Sequence, residues 1–295
     1  MTRFRIAFLT VLLFAATFTG AALAVENGGY SNPGALVSAE ELEKMIEDQS
    51  VKVIDARGNV KYNVRHIVGA LDIGVSTLDV EENGVPMMLP DAEKFAEIMS
   101  ANGITNEDFV VIYDEVGGSQ AGRVASAFLQ FGHPGVALLD GGWGVWRGKT
   151  ESQRPSTAPS TFTARDSGLI ASIDDVKAAL GKPEFVIVDA RPPTEYTGEV
   201  VMDDVKRGGH IPGAVNINWN GNIDADKFIK SAEELKEMYE AQGVTPDKTV
   251  ILYCHGGYRS SFAAFILKEL LDYPNVLMYD GSWVEWSGAD VPVEK

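Results

Sequence analysis

Sulfur and positive charge are what this sequence has least of. Cys254 is the only cysteine among 295 residues. No intramolecular disulfide can form, so the cysteine count carries no information about redox compartment. Lys and Arg number 25 against 42 Asp and Glu, a net charge of −17. Nucleic acid and anionic membrane surfaces are therefore poor partners, and a locally positive pocket would stand out. An uncleaved membrane anchor at the N-terminus is the less favoured reading. The apolar run Ile6 to Phe18 is short for a span and has no stop-transfer flank. Arg3 and Arg5 precede it and Ala22-Leu23-Ala24 follows, the layout of a secretory signal peptide cut after Ala24. No cysteine stands at the cut, which argues against a lipoprotein. The mature chain is expected to be exported, periplasmic or secreted, with no membrane partner after cleavage. Its single thiol would then face an oxidising compartment.

What is there centres on that thiol. Val250 to Tyr253 is an apolar run that reads as a buried strand. Cys254, His255, Gly256 and Gly257 form a small loop, and apolar Phe262, Phe265, Ile266 and Leu270 predict an amphipathic helix over Ser260 to Leu271. An isolated cysteine is most simply a small buried apolar residue. A thiol between a strand end and a helix start is different. Backbone N–H groups and the helix dipole favour an anion there, which lowers a thiol pKa and makes it a nucleophile. The glycines allow close approach of backbone to ligand.

The rest of the chain alternates strands and helices, the pattern of an α/β fold with a largely parallel sheet. Ser38 with Glu41 reads as a capping box for a helix from Ala39 to Gln49. Lys149 to Ser167, rich in Pro, Ser and Thr, has linker composition. The pattern then starts again. Val53-Ile54-Asp55-Ala56-Arg57 returns as Ile187-Val188-Asp189-Ala190-Arg191, and His66-Ile67-Val68-Gly69-Ala70 as His210-Ile211-Pro212-Gly213-Ala214. Val111-Ile112-Tyr113-Asp114 returns as Ile251-Leu252-Tyr253-Cys254, and Asp140-Gly141-Gly142-Trp143 as Asp280-Gly281-Ser282-Trp283. The second half carries extra residues around Thr197 to Arg207. A duplicated domain follows: signal peptide 1–24, N-terminal domain 25–149, linker 150–168 and C-terminal domain 169–295. Asp114 stands where Cys254 should be, so the first copy is expected to be catalytically silent.

These repeated pieces, with Gly209 to Ala214, the cysteine loop and Tyr279 to Trp286, resemble a tandem-domain rhodanese over nearly the whole mature chain. The resemblance implies two similar α/β domains, each a mainly parallel sheet flanked by helices, with the site between them. Three departures stand out: Val68 replaces a proline, Lys206 an expected aromatic residue, and His255-Gly256 the basic residues common beside the cysteine of thiosulfate-type members. The last bears on the donor. Cys254 and Arg259 enclose four residues; phosphatases and arsenate reductases related to this fold use a longer loop. The shorter one suits a sulfur cradle.

The expected chemistry is sulfur transfer. Cys254 takes the outer sulfur of a small anionic donor such as thiosulfate. Backbone N–H groups of His255, Gly256, Gly257, Tyr258 and Arg259 hold the persulfide, and a thiophilic acceptor, cyanide or a thiol, removes it. No metal or organic cofactor is called for. A mercaptopyruvate donor and a non-catalytic sulfur or oxyanion carrier are the competing readings. The resemblance implies that Arg191 holds the donor; pairing with Asp189 is its structural alternative. Arg259 either faces the pocket or pins the loop to a carboxylate. His255 either contacts substrate or is solvated, and a base role for it is the weaker reading. His66 and His210 repeat in both copies and are expected to be structural, as is Trp286. Trp219 and Trp283 are candidates to line the cleft. With its own two-domain cleft, the chain is expected to be a monomer.

Overall fold

Short continuous runs of Val, Ile and Leu set the strands. Val110–Tyr113 is buried along its whole length, and Thr249–Tyr253 at all but its first residue. Such runs suit parallel strands covered on both faces. The computed structural model describes residues 28–295, and the signal-peptide reading lies outside them. Two five-stranded parallel sheets result. The first runs, in spatial order, Leu36–Val37, Val136–Leu139, Val110–Tyr113, Lys52–Asp55 and Leu71–Asp72. The second repeats that order with Ile170–Ala171, Val276–Tyr279, Thr249–Tyr253, Phe185–Asp189 and Val215–Asn216. The duplicated sequence is thus a duplicated topology.

The helices follow their caps. Ser38 and Glu41 form the expected capping box, on a helix that spans Ala39–Glu47 and so ends two residues before Gln49, and Ser172 with Asp175 and Ser231 with Glu234 build two more. The helix after the cysteine differs from expectation. It spans Tyr258–Phe265 and continues as a π-helical stretch over Ile266–Leu270. Its start falls earlier because Gly257, left-handed at φ 87°, ends the loop at once. The segment of linker composition is not a free tether. Thr150–Glu151 pairs with His66–Ile67, Phe162 is buried, and Ser160 and Arg165 donate backbone N–H groups to Ser100 and Phe131.

Each half has an apolar cluster of its own, and a third cluster is shared between them. Val124 and Phe128 of the first half and Phe262 and Phe265 of the second belong to a single buried cluster. Its seam is the contact between the helices Ser119–Gln130 and Tyr258–Phe265. A Cβ on Gly122 would lie 2.6 Å from Phe262 Cα, so the two backbones touch. The Ser126 hydroxyl donates to the Ser261 carbonyl at 3.0 Å across the seam. Cys254 therefore lies at the strand end beside the surface where the halves meet.

Candidate active site

Strand, loop and helix deliver Cys254 to a buried position, with 1% of the residue exposed. The frame around it is bonded from both sides. Its N–H donates to Ser282 Oγ at 3.2 Å, and its carbonyl accepts the Trp283 N–H at 3.0 Å. The Ser260 hydroxyl reaches the thiol sulfur at 3.5 Å. Burial pushes the thiol pKa up. The Arg259 cation, the Ser260 hydroxyl and the backbone N–H groups of Ser260 and Arg259 outweigh it, and the net shift is downward. The thiol is thus more readily ionised than an ordinary one, in a buried setting.

Of the two roles that the sequence left open for Arg259, its contacts describe the pinning one. Its Nη1 and Nη2 donate to Glu195 Oε1 and Oε2 at 2.8 and 3.0 Å, a bidentate pair that pins the loop–helix junction. The same guanidinium is the largest influence lowering the thiol pKa. Neither Glu195 nor Ser260 stood out in the sequence. Glu195 is distant in the chain, and Ser260 reads as an ordinary helix residue.

Arg191 takes its structural alternative. The donor-holding role that the resemblance implied is not the one its contacts describe. Its Nε and Nη2 bond Asp189 at 2.6 to 3.0 Å, Nη2 also donates to the Gly209 carbonyl at 2.7 Å, and Trp283 stacks on the guanidinium at 4.5 Å. Arg57 in the silent half repeats the device with Asp55, the Arg65 carbonyl and Trp143. The Asp–Arg–Trp frame is thus common to the Asp114 half and the Cys254 half. The histidines repeat as well: His66 and His210 stack on Tyr62 and Tyr196 at 3.8 and 3.7 Å. Trp286 is core, and so is Trp283, at 1% exposure, which removes it from the cleft lining. Trp219 stands edge-on to Phe262 at the seam.

The remaining loop residues meet partners from elsewhere. His255 Nε2 contacts Asp204 Oδ2 at 2.8 Å, so the extra residues of the second half approach the loop there. A Cβ on Gly256 would lie 2.5 Å from Met87 Cε, and one on Gly257 would lie 2.6 Å from Arg123 Nη1. The Tyr258 hydroxyl donates to Asp79. Met87, Arg123 and Asp79 all belong to the silent half. They escaped the sequence reading because nothing local marks a residue that reaches across a domain seam.

The silent loop shows what the cradle holds. Asp114 Oδ1 accepts N–H groups from Val116, Gly117 and Gly118, and Oδ2 from Gln120 and Ala121, at 2.9 to 3.2 Å. The loop is one residue longer before its helix begins. An anion attached to the chain thus fills the nest that the loop and helix start create.

A rhodanese-like domain profile matches residues 38–149 and again 172–289. The chain belongs to the rhodanese family, as two tandem domains. Among its relatives, the sulfur carrier protein TtuD of Thermus thermophilus is 36% identical over 285 residues, 90% of this chain and 99% of that one. A protein of Haloferax volcanii named a putative thiosulfate sulfurtransferase is 34% identical, covering 88% and 96%. Among solved structures, EanB and YnjE superpose with TM-scores of 0.81 and 0.79 at 24% identity; each comparison covers 90% of this chain, with 70% of EanB and 69% of YnjE. These two likenesses concern the fold alone.

Proposed function

We propose that the protein is a sulfurtransferase that moves sulfane sulfur from thiosulfate to a thiophilic acceptor through a persulfide on Cys254. The observation that carries this reading is the thiol itself: pKa-lowered, buried, and placed where the silent half seats a carboxylate in five N–H groups. The Cys254 thiolate attacks the outer sulfur of thiosulfate. A new S–S bond forms, the donor S–S bond breaks, and sulfite leaves with its electron pair. The acceptor then attacks the outer sulfur of the persulfide, giving thiocyanate from cyanide or a new persulfide from a thiol, and the Cys254 thiolate returns. Arg259 and the N–H groups at the helix start stabilise the anionic forms on both sides of each displacement. Two half-reactions on one sulfur predict ping-pong kinetics.

The test is steady-state sulfur transfer from thiosulfate to cyanide, beside 3-mercaptopyruvate, with Cys254→Ser as control. We expect turnover with thiosulfate that the Cys254→Ser change abolishes. Retained activity in that variant would sink the scheme, and a large excess of mercaptopyruvate turnover would reassign the donor. A second reading is supported by the relative named as a sulfur carrier and by the shelter that burial offers a persulfide. In that case mass spectrometry would find Cys254 persulfide that persists with cyanide present and is released only to a protein acceptor.

A further inference from the structure

The two halves build the same frame around their loops and then furnish it differently. In each, an aspartate that follows a sheet strand accepts a backbone N–H from the other half. Asp140 accepts from Ile229 at 2.9 Å, and Asp280 accepts from Leu89 at 2.7 Å. In each, a crossing segment lies on the loop. The Val80–Glu82 and Val85–Met88 hairpin places Met87 against Gly256, and the Ile223 to Ile229 turn places Ile223 against Gly117. The left-handed glycine before each paired helix faces the other helix. Gly118 meets the ring of Phe262, whereas Gly257 meets the guanidinium of Arg123. Where the silent loop is closed by a phenyl ring, the cysteine loop is closed by a cation.

We propose that Arg123, supplied by the silent half, is a positioning residue for Cys254, fixing the Gly256–Gly257 turn through Asp280 and Met87. Arg123 is fully buried and ion-paired to Asp280, itself 3% exposed. Its Nη2 donates to the Met87 carbonyl at 2.6 Å. Met87 holds a left-handed φ of 63°, a conformation a residue with a Cβ adopts only under constraint. One guanidinium thus ties together the hairpin that covers Gly256, the aspartate beside Gly257 and the Gly257 turn itself. Its Nε is buried and has no hydrogen-bond partner among the described residues. Burying such a pair adds little net stability, and geometry is what it specifies here. The silent half shows that the frame stands without it. Among the described residues Asp140 has no ion-pair partner, and burial pushes its carboxyl up to about 6. The Arg123–Asp280 pair appears only where a cysteine has to be placed.

The role assigned to Arg123 rests on the reading of Cys254 as the sulfur-accepting thiol, so the test includes an arm that needs no sulfur donor. Full-length Arg123→Lys, Met87→Gly and the double variant Arg123→Met with Asp280→Leu would be compared with the parent. One arm measures the iodoacetamide alkylation rate of Cys254 against pH; the other measures kcat and KM for thiosulfate. We expect alkylation to accelerate roughly tenfold in all three, because the hairpin no longer holds the loop closed. We expect kcat to fall roughly tenfold to hundredfold with KM little changed, the signature of a misplaced nucleophile. The double variant removes both charges together but leaves the Leu89 N–H and the Met87 carbonyl without these partners, so its unfolding midpoint should fall modestly and kcat should not recover. Parental alkylation and kcat in the folded Arg123→Lys and double variants would overturn the proposal. If the parent transfers no sulfur, alkylation alone decides, and unchanged rates reject it. If the Arg123 variants do not fold, Met87→Gly decides in the same way.

Discussion

At the scale of the residue, the cysteine loop is governed by which charges reach one sulfur. Desolvation alone would leave Cys254 a protonated, inert thiol. Arg259 and the hydrogen bonds from Ser260 outweigh desolvation and bring the thiol pKa down, so the thiolate fraction depends on both. Arg259→Gln is expected to raise the pH midpoint of Cys254 alkylation, and Ser260→Ala to raise it less; a midpoint that stays put in both would remove the electrostatic account. Asp140 supplies a converse case. Its folded pKa of about 6 lies above the ordinary carboxyl value. The folded chain therefore holds this proton more tightly than the unfolded one. That contribution is fully present below about pH 4 and is lost as pH rises through the folded value. Asp140→Asn keeps the oxygen that accepts from Ile229 and should stabilise the protein by about 1 kcal/mol at pH 7 and hardly at all at pH 4. Urea unfolding at the two pH values measures the difference; equal effects at both would contradict it.

At the scale of the element, the Ser119–Gln130 and Tyr258–Phe265 pair carries the strongest constraint. Gly122 lets the two backbones touch, and Phe262 fills the gap beside it, fully buried. Phe262→Ala would leave a cavity at the centre of the seam and should cost about 3–5 kcal/mol. Denaturant melts would show it, and a loss below about 1 kcal/mol would mean that the seam repacks. The hairpin with Met87 and the turn with Ile223 are the second shared device, each half covering the loop of the other. The helix after Cys254 also departs from regularity, passing into π-helical turns at Ile266–Leu270. We have no physical account of that change.

At the scale of the whole molecule, the duplicated halves are not independent bodies. One buried cluster contains core residues of both sheets and both seam helices. The cost of separating the halves is exposure of that cluster, so they should unfold together. Calorimetry is expected to show a single transition with matching calorimetric and van't Hoff enthalpies. Two resolved transitions would show that the seam is weaker than its packing implies. In the same arrangement the first half provides Met87, Asp79 and Arg123 at the cysteine loop as well as part of the shared apolar cluster.

The amino-acid order by itself determined the α/β class, the duplication, the strand–loop–helix setting of Cys254 and the loss of the thiol at Asp114. These are local matters: periodicity, caps and short motifs lie within a few residues of the chemistry they describe. Arg191 could be read two ways, because a basic residue after Asp189 suits a substrate clamp as well as a buried pair. Its contacts in the folded chain, repeated in Arg57, are those of the buried pair. The partners of the loop were decided by tertiary structure alone. Glu195 on Arg259, Asp79 on Tyr258, Met87 on Gly256 and Arg123 on Gly257 are distant in sequence. They become neighbours through packing between the halves, and no periodicity along the chain encodes a contact that folding creates across a seam.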